Sequence, residues 1–284
     1  MVSNGPHRAA TELALSSTTP KPSSPSEPAA QAATEPAMDP EATDNARASR
    51  EKRGPLHIGI TAVSPEGSAL CYRELFRYAS SLIGDSGHPT VTMHNLPFEQ
   101  YLAAVERDDW HAIGEMLLKS AHALKQAGAE FAICPDNVMQ HGLHLAEHGS
   151  PLPWMTMTEM VASAIAADGR KIVGLVGTRM VMFGSTYQTH LGLKGIKVIV
   201  PDAMDAAAID GIIFEQLVHG QVLDESREIF AGVIKKLQDK GAEGLIAGFS
   251  ESGLILSRET CVIPMYDPVG LLAHGAVARS IADC

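Results

Sequence analysis

Apolar residues along this chain keep two rhythms. Short, nearly unbroken runs such as Leu56-His57-Ile58-Gly59-Ile60, Val91-Thr92-Met93, Lys171–Thr178 and Val198–Pro201 read as strands buried on both faces. Between them, apolar residues recur every three or four positions. Leu75, Tyr78, Ala79 and Leu82 mark a helix ending near Ile83, and Ile113, Leu117, Ala121 and Leu124 mark another over Trp110–Gln126. Further helices are expected near Gln140–Glu147, Thr158–Ala167, Asp205–His219 and Asp224–Asp239, with a last one from Pro268. In the turn Ser64-Pro65-Glu66-Gly67-Ser68, Ser68 is placed to cap the first helix. Strands alternating with helices predict an α/β protein with parallel sheets.

The cycle restarts near 171, and one short motif repeats with it. Gly128-Ala129-Glu130 leads through Phe131-Ala132-Ile133-Cys134 to the polar Asp136-Asn137, and Gly241-Ala242-Glu243 leads through Gly244-Leu245-Ile246-Ala247 to Ser250-Glu251. Each copy reads as helix, tight turn, buried strand and polar loop. The pattern predicts two pseudo-symmetric lobes, 54–168 and 169–284, with parallel sheets flanked by helices and a cleft between them. The closing helix is free to pack on either lobe. In open α/β sheets ligands collect at the carboxyl ends of strands, so the polar loops should hold the chemistry.

Composition narrows the partners. A net charge of −11 over 284 residues argues against nucleic acid, which needs a basic stripe, and against anionic membrane surfaces. Four cysteines (Cys71, Cys134, Cys261, Cys284) form no C-x-x-C pair, which suits a reducing, cytoplasmic setting. Residues 1–53, rich in Ser, Thr, Pro, Ala and Glu, read as a disordered tail. The first 26 residues hold one acid, Glu12, and would also suit an organelle address; the later acids from Glu27 to Asp44 count against it.

Several positions offer chemistry. The turns at Ser64 and at Gly177-Thr178-Arg179 follow strands and enter helices, where unpaired N–H groups and hydroxyls suit a carboxylate. They carry neither the dinucleotide fingerprint nor a Walker lysine. His141, His144 and His148 share a helical face; a solvated face explains them more simply than a metal, and no metal is expected. Cys134, at a strand end, is either a core thiol or a nucleophile.

At the paired Gly-Ala-Glu loops, and in Ser64-Pro65-Glu66, Gly177-Thr178-Arg179, Ile212–Glu215, Gly248-Phe249-Ser250-Glu251 and Ile263–Asp267, the chain resembles the aspartate/glutamate racemase superfamily over about 56–281. The resemblance implies two lobes around one active site, a dimer, and no pyridoxal or other cofactor. It also implies a pair of cysteines, one from each lobe, that move a proton on opposite faces of the substrate's α-carbon. A gap-free reading from Gly128 puts Pro135 at the first of these positions, with Cys134 one residue early, and Phe249 at the second. Thr61-Ala62 replaces the usual opening glycine pair, and Ala206–Ala208 replaces a basic residue of the acidic-amino-acid racemases.

The expectation is therefore cofactor-independent proton transfer, of isomerase, lyase or cyclase type, on a small carboxylate or carbonyl compound. Asp136 is the first candidate base and Cys134 the second. Ser64, Asn137, Thr178, Phe249, Ser250 and Glu251 would line the site, with Phe249 favouring a substrate more hydrophobic than aspartate. A catalytically inactive binding protein and a conventional amino-acid racemase using Cys134 are the alternatives.

Overall fold

In a computed structural model, described for residues 54–84, 87–257 and 261–282, two four-stranded parallel sheets share one strand order. The tail read at 1–53 lies outside the described residues. The first sheet runs β2-β1-β3-β4, from β1 (Ile58–Ala62), β2 (Val91–Asn95), β3 (Phe131–Ile133) and β4 (Trp154–Met155). The second runs β6-β5-β7-β8, from β5 (Ile172–Gly177), β6 (Lys197–Ile199), β7 (Gly244–Gly248) and β8 (Met265–Tyr266). The helices of the first half are α1 (Pro65–Ile83), α2 (Phe98–Glu106), α3 (Trp110–Gln126), α4 (Gln140–Glu147) and α5 (Met157–Ala167). Those that follow are α6 (Arg179–Phe183), α7 (Thr186–Gly192), α8 (Ala203–Glu215), α9 (Asp224–Asp239), α10 (Ser252–Ile255) and α11 (Pro268–Ile281), with a 3₁₀ turn at Leu217–His219.

Four short helices, α2, α6, α7 and α10, go beyond the spans expected from sequence. Ser64 rather than Ser68 caps α1: its hydroxyl accepts from Gly67 N at 3.3 Å, while Ser68 Oγ accepts from Val63 N at 3.2 Å.

The Gly-Ala-Glu repeat explains itself in the backbone. Gly128 and Gly241 end α3 and α9 with φ of 95° and 96°, a left-handed turn that favours glycine. The next residue closes each helix identically, Ala129 N onto Leu124 O and Ala242 N onto Leu237 O, both at 3.0 Å. The glutamate then clamps the sheet. Glu130 accepts from His57 N at 2.8 Å, and Glu243 accepts from Lys171 N at 2.7 Å, at the entries to β1 and β5. The motif is therefore a joint between helix and sheet, and the chemistry lies further along the chain.

Register fixes the equivalence of the halves. Phe131 lies opposite Ile58 in one sheet and Gly244 opposite Val173 in the other; Ala132 pairs Trp154 as Leu245 pairs Met265. Counting on from these pairs, Cys134 corresponds to Ala247, Pro135 to Gly248, Asp136 to Phe249 and Asn137 to Ser250.

The closing helix belongs with the first sheet. Val269, Leu272, Ala273, Ala276 and Val277 of α11 share a core with Ile58, Ile60, Leu75 and Phe131. Leu56 N donates to Ser280 O at 2.8 Å, tying the two ends of the folded region together.

Candidate active site

The carboxyl ends of β1, β3, β5 and β7 open onto a cavity of about 580 Å³. Ser64, Asp136, Asn137, Thr178, Phe249, Ser250 and Glu251 all reach its wall. The rest of the lining is largely apolar and comes from α2 (Phe98, Leu102, Val105) and from α8 and the 3₁₀ turn (Ile213, Phe214, Val218). Of the residues proposed from sequence, Cys134 alone is elsewhere. It is fully buried in the core among Val63, Tyr101, Leu117 and Leu143. Burial, and then the Asp136 charge, push its thiol well above the usual range. Cys134 has the environment of a packing residue.

Serine hydroxyls from both lobes tie the two together beside the cavity. Ser64 Oγ donates to Glu251 Oε1 at 2.6 Å, and Ser250 Oγ donates to the Pro135 carbonyl at 2.8 Å. The approach is close enough that only glycine fits at Gly67. A Cβ there would lie 2.3 Å from Ser250 Cβ and 2.7 Å from Ser64 Oγ.

Each loop side chain is held by its neighbours. Asp136 Oδ1 accepts from Val138 N at 2.9 Å and Met139 N at 3.1 Å. Gln140 Nε2 braces the same loop through the Cys134 and Asp136 carbonyls. Asn137, only 4% exposed, accepts from the Tyr187 hydroxyl at 2.6 Å through Oδ1, and its Nδ2 has no partner. A buried unpaired donor on a cavity wall is a place for a ligand acceptor. Thr178 caps α6 through Val181 N. Phe249 rests on Phe230 with ring centroids 5.4 Å apart, giving the wall an apolar face.

Burial raises the pKa of two carboxyls of this cavity. Glu251 is 3% exposed, and burial pushes its pKa up to about 7; the Ser64 bond opposes this, while Asp136 adds to it. Asp136 keeps some surface toward the cavity, but desolvation raises its pKa too, against the pull of its two backbone N–H bonds. Sequence reading placed Glu251 only as a contact residue. The signal that marks it, burial of an acid against a second acid from the other lobe, arises only on folding.

The three histidines do not converge. His141 stands edge-on to Trp110 at 4.4 Å, and His144 stacks on His190 at 6.0 Å. Among the described residues no group of His, Cys, Asp or Glu has the arrangement to hold a metal ion. Nor is any described helix long and apolar enough to cross a membrane.

This architecture has known counterparts. The family model for Asp/Glu/Hydantoin racemases matches residues 60–276, and the chain belongs to that family. A Yersinia pestis protein assigned to the Asp/Glu racemases is 28% identical, with a TM-score of 0.73 over 80% of this chain and 99% of its own. An aspartate racemase homologue from Pyrococcus horikoshii (22% identity, TM-score 0.70, 80% and 99% covered) shares the fold. So does the aspartate racemase of Picrophilus torridus (20%, 0.67, 81% and 95%).

Proposed function

We propose that the protein is a cofactor-independent enzyme that moves a proton at a carbon next to a carbonyl, as an isomerase or lyase acting on a small carboxylate or carbonyl compound. The observation that carries this is the meeting of Asp136 and Glu251, one from each lobe, on one cavity.

Asp136 corresponds to Phe249 by register, which supports reading it, rather than Pro135, as the first-lobe counterpart of that position. A carboxylate thus takes the role the family gives to a thiol, and Phe249 leaves its own position without a proton carrier. That disfavours two-thiol racemisation and leaves the return of the proton to the neighbouring Glu251; the buried Cys134 offers no substitute.

In this mechanism Asp136 in its ionised form, which its two N–H bonds favour and burial opposes, takes the proton from the substrate carbon. The electron pair moves onto the carbonyl oxygen, which accepts a hydrogen bond from Asn137 Nδ2. Glu251, poised near pH 7, is the acid that returns a proton; the Ser64 bond fixes its direction. Uptake and return leave the enzyme's proton count unchanged after Asp136 passes its proton back to Glu251.

The test is exchange of substrate C–H for solvent deuterium across a panel of carboxylates and α-substituted carbonyl compounds, followed by NMR. Wild-type protein should exchange at least one of them. Asp136→Asn should lose about two orders of magnitude or more, and Cys134→Ala should stay near wild type. Full exchange in Asp136→Asn, or none by wild type with any compound that binds, would overturn the proposal.

A further inference from the structure

A second chamber, of about 390 Å³, lies beside the first, and Asn137, Val138 and Met180 form walls of both. Either volume falls within the roughly 300–1,000 Å³ of pockets that hold drug-sized ligands. The two are lined differently. The larger is walled by Phe98, Leu102, Ile213 and Phe214, whereas the smaller is bounded by Trp110, His141, Ser185 and Thr186. Trp110 is set by its indole N–H, which donates to Asp108 Oδ1 at 2.6 Å, and Asp108 is held at a φ of 56°, rare for a non-glycine residue. Asn137 walls both chambers, and its buried Nδ2 has no partner.

Charge narrows the occupant. Glu106, Asp136, Asp210 and Glu251 line the larger chamber, and Arg179 is the one Lys or Arg among its described lining residues. Four acids against one arginine disfavour a substrate with two carboxylates. The orphan on the shared wall is a donor, so it wants an acceptor oxygen, which a free ammonium cannot supply.

We infer that the two chambers receive the two arms of one substrate, an N-acylated apolar amino acid. Its acyl oxygen accepts one Asn137 Nδ2 hydrogen, the other being left for the carboxyl oxygen beside the reacting carbon, while its acyl group lies against Trp110 and its side chain fills the apolar chamber. The inference rests on the proton-transfer reading, because the hydrogen moved is the one on that amino acid's α-carbon.

Calorimetry on the full chain tests it with N-acetyl-L-phenylalanine, L-phenylalanine and N-acetyl-L-aspartate. N-acetyl-L-phenylalanine should bind at least tenfold more tightly than either of the others. Ser185→Trp, which fills the smaller chamber from an exposed position, should erase the preference over phenylalanine and leave phenylalanine's own affinity within twofold. Trp110→Ala should act in the same direction. Equal binding of the acylated and free amino acids by wild type, or equal loss for both in the two variants, overturns the inference. The chemistry is read separately: binding in this pattern without α-deuterium exchange counts against proton transfer and leaves the substrate class standing.

Discussion

Ser64, at the N-cap of the first lobe's opening helix, donates its hydroxyl hydrogen to Glu251 of the second lobe at 2.6 Å, across 187 residues of chain. A bond between a hydroxyl and a buried acid does two things at once. It holds the lobes in register at the cavity, and it sets how that acid titrates.

The first prediction concerns pH. Glu251 rises from an ordinary 4.5 to about 7 on folding, chiefly through burial. An acid whose folded pKa lies above its unfolded one contributes most below the unfolded value. That contribution falls as pH rises from about 4.5 to about 7 and is then constant. The gap corresponds to about 3 kcal/mol. Glu251→Gln lacks this dependence, so urea denaturation at pH 5 and pH 8 should show the variant gaining on wild type by up to that amount at the higher pH. A difference that stays the same at both pH values would remove the raised pKa.

The same residue shapes activity. If protonated Glu251 returns the proton, exchange should decline on the alkaline side with an apparent pKa near 7. Ser64→Ala removes the bond that favours the charged form, and the alkaline limb should move upward in pH. An unmoved limb would assign it to another group.

Gly67→Ala addresses the lobe contact directly. Its Cβ would sit 2.3 Å from Ser250 Cβ and 3.3 Å from Glu251 Oε1. Overpacking of this kind costs about 1–3 kcal/mol, so the denaturation midpoint should fall, and exchange should fall with it as Asp136 and Glu251 are moved apart. A variant with wild-type stability and exchange would show that the loops give way at no cost.

Gly241→Ala isolates conformation from crowding. The glycine has a φ of 96°, and a Cβ added there would meet nothing within 4 Å beyond its own chain neighbours. The cost should be that of the left-handed turn alone, about 1–2 kcal/mol, with exchange unchanged. Gly128→Ala adds only an ordinary contact with His57 Nδ1 at 3.4 Å and should cost about the same.

Much of the fold was legible because its signals are local. The buried strands, the long helices α1, α3 and α9 and the glycine stops follow from periodicity and turn chemistry, and the repeat announced two lobes. The misses have physical causes. α6 and α7 are too short to carry a helical period, and the first cap passed from Ser68 to Ser64 because Pro65 already starts the helix. The site was legible as a set of lining residues but not as chemistry. Cys134 looks reactive in a string and is sealed in a core, since one residue of offset turns a strand side chain to the other face. Glu251 looks like any loop acid until Ser64 and Asp136 arrive from the other half of the chain.

The joining of Leu56 to Ser280, and of α11 to the first sheet's core, bears on how the molecule is made. The first lobe leaves the ribosome early but lacks one of its walls until the last helix has been synthesised. A nascent chain that reaches Glu251 can pair the principal strands of its second sheet, while Leu75 and Ala79 of α1 still wait for Leu272 and Ala276. The half begun first waits for α11, and until that helix arrives its bare apolar face is open to wrong association.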